Sequence, residues 1–157
     1  MPKITTFLTY DDQAEEAAKL YTSVFPNSSI TAVTRFNAAG PAPEGTVMTV
    51  AFELDGQPFI ALNGGPHFQF SQGISLTVSC ETQAEIDEYS AKLIAGGGEQ
   101  GACGWLTDRF GVSWQVNPPI LLEMLSDEDP ARAARVMQAM MQMLRIDIAA
   151  LERAYEG

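Results

Sequence analysis

A single histidine, His67, and two cysteines, Cys80 and Cys103, are all the imidazole and thiol that the 157 residues offer. Two cysteines so far apart in sequence form neither a disulfide framework nor a Cys-pair metal site. A Cys-His dyad would require His67 to meet one of them in space. The expectation for both is a buried free thiol that packs as a small hydrophobe. Bases are scarce as well: 9 Lys and Arg stand against 20 Asp and Glu, a net charge of -11, and no segment gathers the bases into a stripe. A field of that sign repels phosphate backbones and anionic lipid, so nucleic acid and membranes are excluded as partners. Runs of eighteen uncharged apolar residues are absent, and the opening MPKITTFLTY has no long apolar run behind Lys3. A cytoplasmic location is expected.

What is present is an ordinary globular composition, 46% apolar, with 9 prolines and 13 glycines spread along the chain. A chain of this length suits a single domain and buries about 70% of the surface that it exposes when unfolded.

Within it lies an internal repeat. ITTFLTYDDQAEEAAKLY, from Ile4, recurs as ISLTVSCETQAEIDEYSAKL, from Ile74, and Gln13-Ala14-Glu15 returns seventy residues later as Gln83-Ala84-Glu85. Each copy opens on a β-prone run, Ile4 to Tyr10 and Ile74 to Cys80. Each then passes through a helix-start signal, Asp11-Asp12 or Glu81-Thr82, whose oxygens can satisfy the free amides of a first turn. The first helix is predicted to reach about Phe25 before Pro26-Asn27. The second carries Ile86, Tyr89 and Leu93 on one stripe and ends at Gly96 to Gly98. Glycines that follow a helix are not a phosphate-cradling loop, which precedes one.

Three strand-like segments follow each helix: Ile30 to Phe36, Thr46 to Leu54 and Gln57 to Asn63 in the first copy, with Asp55-Gly56 as the tight turn. The loop NAAGPAPEG separates the first two. In the second copy the segments are Glu99 to Ala102, Trp105 to Thr107 and Val112 to Val116, with Asp108 to Gly111 as the turn and Asp108-Arg109 as an exposed ion pair. The predicted fold is α+β: two βαβββ modules, 1–70 and 71–117, forming a curved mixed sheet with helices outside and a cleft inside. A C-terminal helical extension, 118–157, follows. Pro118-Pro119 opens a short helix to about Leu125, Asp129 caps a longer one with Pro130 at its first position, and IDIAALERAY forms a third. Val136, Met137, Met140, Met141, Met143 and Leu144 give the middle helix a broad apolar surface.

Paired βαβββ modules, together with the blocks QAEEAAKLYTSVFPNS, FIALNGGPHFQF, CGWLTDRFGVSWQVNPP and IDIAALERAY, resemble the PhnB-like, or 3-demethylubiquinone-9 3-methyltransferase-like, branch of the glyoxalase/bleomycin resistance/dioxygenase (vicinal oxygen chelate) superfamily. The resemblance implies four metal-ligand positions, two per module. Carried over by motif, they fall at Thr5 and Ser75, seventy apart, and at Ala61 and Gln115, fifty-four apart. Gln115 alone has an ordinary ligand side chain, so the expected cofactor is none, and a divalent metal is not supported by these positions. An adenosyl methyl donor is not expected either, because no strand, glycine loop and helix follow one another.

The leading functional expectation is a small molecule bound in the cleft, with Gln115, Asn63, Thr5, Ser75 and Trp105 as candidate binding residues and no catalytic residue assigned. On a strand, Ser113, Gln115 and Asn117 share one face, and Trp114 packs with Val112 and Val116 on the other. Two alternatives stand beside it: a metal-dependent glyoxalase-type lyase, isomerase or transferase, and a non-catalytic interaction module whose methionine-rich helices dimerise. A homodimer is expected under all three.

Overall fold

A computed structural model describes residues 2–157. The chain divides into two compact units, one ending at Phe70 and the other running from Ser71 to Gly157.

The first unit consists of β1 (Thr6–Tyr10), α1 (Ala14–Val24), β2 (Ser29–Arg35), β3 (Val47–Leu54) and β4 (Gln57–Asn63). The second repeats the pattern with β5 (Leu76–Ser79), α2 (Gln83–Ile94), β6 (Glu99–Gln100), β7 (Trp105–Thr107) and β8 (Ser113–Asn117), then adds α3 (Pro119–Leu125), α4 (Pro130–Met140) and α5 (Ile148–Glu156). The sheets share one topology, β1-β4-β3-β2 and β5-β8-β7-β6. In each, the first strand runs parallel to the last and the other pairings are antiparallel. The two βαβββ modules are therefore real. In place of one continuous curved sheet, each module has its own four-stranded sheet.

In the first unit α1 buries Ala14, Ala17, Ala18, Tyr21 and Val24, the i, i+3, i+4, i+7 stripe of an amphipathic helix, against β3 and β4. Phe52 stacks on Phe59 with ring centroids 5.4 Å apart, Tyr21 lies 6.2 Å from Phe52, and the Tyr10 hydroxyl donates to that of Tyr21 at 3.2 Å. Side chains of this size each contribute about 1.5–3 kcal/mol by leaving water.

The start of α1 is not capped from its own neighbourhood. Gln13 occupies the cap position without a side-chain bond, and Asp11 and Asp12 are exposed. Asn63, from the end of β4, accepts from the Ala14 amide at 2.9 Å and donates to the Val47 carbonyl at 3.0 Å. The α2 start does follow the local signal, with Thr82 Oγ1 accepting from the Glu85 amide at 3.2 Å. Between β3 and β4, Asp55 and Gly56 both have positive φ, 49° and 80°, which suits a tight hairpin turn.

The second unit packs α2 on β7 and β8, with Ile86, Leu93, Leu106, Trp114 and Val116 at its centre. Its 99–102 segment is shorter as a strand than expected, because a single 3₁₀ turn at Ala102–Gly104, with Cys103 at φ 58°, breaks the ladder after Gln100. That break lets the extension in. The Cys103 and Gly104 amides donate to the Met143 and Leu144 carbonyls at 2.9 and 2.7 Å. Gln83 clamps the next turn: its Nε2 donates to the Ile146 carbonyl, and its Oε1 accepts from the Ile148 amide, both at 2.9 Å.

With Val136, Ile146 and Leu151 fully buried, the extension belongs to the core of this unit. The helix expected to run through Leu144 stops at Met140. Met137, Met141 and Leu144 are more than two-fifths exposed, so the broad apolar stripe is only partly covered.

Candidate functional site

Along β8, Trp114 and Val116 point to α2 and are buried, so Ser113, Gln115 and Asn117 take the opposite face. Sheet register sets their neighbours. Thr77 of β5 and Trp105 of β7 both pair with Gln115, so Thr77, Gln115 and Trp105 form one row across the strands. Ser79 pairs with Asn117 one row on. A chain of hydrogen bonds joins this face: Gln115 Nε2 donates to Ser75 Oγ at 2.9 Å, and Asn117 Nδ2 donates to Gln115 Oε1 at 3.4 Å.

The extension lies over that face. A cavity of about 820 Å³ has Thr77, Ser79, Gln115 and Asn117 as its floor, Trp105 and Cys103 at its side, and Pro118, Pro119, Leu121, Leu122, Leu125 and Met140 as its roof. Its size falls in the range of ordinary small-molecule sites, and the combination of apolar walls with a few convergent polar groups is typical of them.

Of the residues singled out in the sequence, the structure brings together Gln115, Ser75 and Trp105. Asn63 lies elsewhere, on the wall of a second cavity of about 1030 Å³ in the first unit, and both ends of its amide are taken by backbone. That cavity also carries Asp11, Asp12, Glu15, Glu16 and Arg35. Thr5 stands just before β1, half-buried, on the strand face opposite Leu8 and Tyr10. Thr77, Ser79 and the roof of α3 were not picked out as site residues. The alternation Ser75, Thr77, Ser79 is a readable signal for the first two, whereas nothing local to α3 says which sheet face it will cover.

The assumed equivalence of Ala61 and Gln115 fails on register. Leu8 pairs with Ala61, whereas its repeat partner Val78 pairs with Val116. Ala61 is fully buried on the α1 side, and the true counterpart of Gln115 is Ile60, which pairs with Phe7 and Ala51. The polar row Thr77–Gln115–Trp105 thus corresponds to an apolar row, Phe7–Ile60–Ala51, in the first unit.

A metal of the superfamily type does not suit these residues. Among the described residues no three His, Cys, Asp or Glu side chains stand together. The floor donors are hydroxyls and amides, and the Gln115 amide is engaged at both ends. Neutral oxygens of this kind do not hold zinc, nickel or iron out of water.

The two thiols differ. Cys80 is fully buried at the end of β5, and burial, reinforced by Glu85, pushes its pKa from 9.0 up to about 12, so it stays protonated. Cys103 is partly exposed at the cavity, with Sγ 3.5 Å from the Met140 carbonyl, instead of packed away as expected. His67 is exposed in the first unit. Nor is Asp108 the exposed half of an ion pair: it is buried, and its carboxylate accepts from the Phe110 and Val112 amides and from Trp114 Nε1 at 2.9–3.0 Å.

No helix among the described residues is long and apolar enough to cross a membrane. The chain is similar in sequence and fold to the PhnB protein of Bacillus cereus, with 39% identity over 74% of this chain and 99% of that one and a TM-score of 0.65. It is similar in fold to a protein of Pseudomonas aeruginosa (23% identity, 75% and 98% covered, TM-score 0.59) and to the fosfomycin resistance protein FosX of Mesorhizobium loti (13%, 81% and 100%, 0.57). No curated protein matches significantly. Residues 2–117 match the family described as 3-demethylubiquinone-9 3-methyltransferase, and α3 to α5 lie beyond that match. With both modules accounted for in sequence and fold, the chain belongs to this PhnB-like, 3-demethylubiquinone-9 3-methyltransferase family.

Proposed function

We propose that the chain is a cytoplasmic, homodimeric small-molecule-binding protein, whose ligand enters the slot between the β5-β8-β7 face and α3 and is held without a metal. The observation that carries this is the floor itself. Polar side chains from two neighbouring strands, β5 and β8, converge on a cavity walled mainly by Leu121, Leu122, Leu125, Met140 and the two prolines that open α3, whereas the corresponding row of the first unit, Phe7, Ile60 and Ala51, carries no polar side chain. Gln115 is the central polar group, tied to Ser75 on one side and Asn117 on the other, and Trp105 supplies a flat surface beside it.

A methyl-transfer activity of the kind named for the family has no support in this site, which lacks a glycine loop between strand and helix for an adenosyl donor. The glyoxalase-type alternative would need donors beyond those on the floor. Metal analysis of the purified chain tests it, and a stoichiometric divalent ion lost in Gln115→Ala would replace the present proposal. Dimerisation through the exposed Met137, Met141 and Leu144 would appear as a dimer in sedimentation and as a monomer after their substitution by Ser. The slot is tested by a thermal-shift screen against small metabolites: a hit raises the melting temperature in proportion to the logarithm of its concentration, and Thr77→Trp, which fills the floor, removes the shift. If hits persist in Thr77→Trp, the ligand site is elsewhere.

A further inference from the structure

We infer that the slot selects an uncharged, two-sided ligand, flat or conjugated on the part that meets Trp105 and carrying hydroxyl, carbonyl or amide groups along one edge, and that it rejects phosphates, phosphonates and other anions. This rests on the slot being the ligand site. The first support is the charge of the lining. Its floor of Thr77, Ser79, Gln115 and Asn117 is neutral, Glu123 is its one carboxylate, and it contains no Lys, Arg or His. An anion in it would be desolvated with no countercharge, inside a chain of net charge -11.

Backbone geometry weakens the other common means of holding an anion. A helix start presents free amides to negative groups, and α3 starts at the slot, but it does so with Pro118 and Pro119, which have no N–H. The Leu121 amide is turned back to the Pro118 carbonyl at 3.1 Å, which leaves Ile120 to offer the first amide of this helix start.

What the floor does offer is balanced. The Thr77 and Ser79 hydroxyls each donate and accept, and Gln115 keeps a second N–H and a second lone pair after its bonds to Ser75 and Asn117. Opposite them Leu121, Leu122, Leu125 and Met140 are purely apolar. These roof residues lie beyond the family match, which ends at residue 117, so the extension supplies the apolar side of the slot and the second module its neutral polar floor.

A pair of fluorescent probes with one ring frame tests the inference on the full chain: neutral N-phenyl-1-naphthylamine and its sulfonated analogue 1-anilinonaphthalene-8-sulfonate. The neutral probe is expected to bind at least about tenfold more tightly. Thr77→Trp should abolish its binding, and Thr77→Lys should shift the preference toward the sulfonate. Ser79→Phe serves as a second blocking variant if circular dichroism shows that Thr77→Trp is misfolded. Equal or tighter sulfonate binding that is lost in the blocking variant overturns the ligand class while leaving the slot intact. Absence of probe binding, or binding that survives both blocking variants, removes the slot and this inference with it.

Discussion

The indole Nε1 of Trp114 donates to Asp108 Oδ2 at 2.9 Å, inside a hairpin where both residues are about 2% exposed. Two backbone amides, of Phe110 and Val112, share the other carboxylate oxygen. The carboxylate thus organises the turn and fixes the tryptophan against α2, leaving the neighbouring face of β8 to Gln115 and Asn117. Asp108→Ala would take this carboxylate away from two backbone amides and an indole N–H, and lower stability by about 3 kcal/mol or more. Urea unfolding measures it, and Asp108→Asn, which keeps an acceptor, should lose less.

Gly104 has φ 84°, and a Cβ there would stand 2.5 Å from Asn117 Oδ1 and 2.9 Å from the Val116 carbonyl. Its own amide holds the Leu144 carbonyl. Gly104→Ala therefore strains the backbone and pushes apart the floor and the extension. A loss of about 2 kcal/mol or more is expected, with earlier proteolytic cleavage after residue 118 than in the parent chain.

The two cysteines should separate on labelling. In the native protein one thiol, Cys103, reacts with Ellman's reagent and Cys80 follows only on unfolding. Because the folded state keeps Cys80 protonated up to about pH 12 while the unfolded thiol ionises near 9.0, the folded form binds the extra proton between those values. Stability should fall as pH rises above about 9, and Cys80→Ala should flatten that slope in urea titrations at graded pH.

Asp127 accepts from the Tyr155 hydroxyl at 2.7 Å, and this bond, with one from the Asp129 amide, holds its carboxyl below 3.8. A lowered carboxyl pKa contributes stability above the unfolded value, lost as pH falls through the folded one. Tyr155→Phe should be less stable than the parent at neutral pH, and the difference should vanish in acid below the carboxylate range, as unfolding midpoints at each pH would show.

Asn63→Ala would strip the Ala14 amide and the Val47 carbonyl of their partner, and should cost about 1–2 kcal/mol while leaving probe binding in the slot unchanged. Loss of binding in this variant would instead tie Asn63 to the ligand.

Much of this architecture was legible along the chain because its causes are local. The seventy-residue repeat, the 3.6-residue stripe of α1, the Asp55-Gly56 turn and the proline-led start of α4 each declare an element through bonds made within a few residues. Alternation on β8 likewise separated Trp114 from Gln115 before any partner strand was known. The cap of α1 was not legible, because Asn63 lies forty-nine residues from the amide it satisfies. The equivalence of Ile60 and Gln115 was hidden too, since register is set by strand pairing and a one-residue slip exchanges the two faces of a strand.

The sequence by itself determined the two βαβββ modules, the helical extension and the acidic surface, since periodicity, turn chemistry and charge are properties of the chain read in order. Only the tertiary structure decided that Asp108 is buried, that Cys103 opens onto a cavity while Cys80 does not, and that α3 roofs the Thr77–Gln115–Trp105 row. Those outcomes depend on contacts between residues far apart in sequence, which no local pattern records and which packing alone selects.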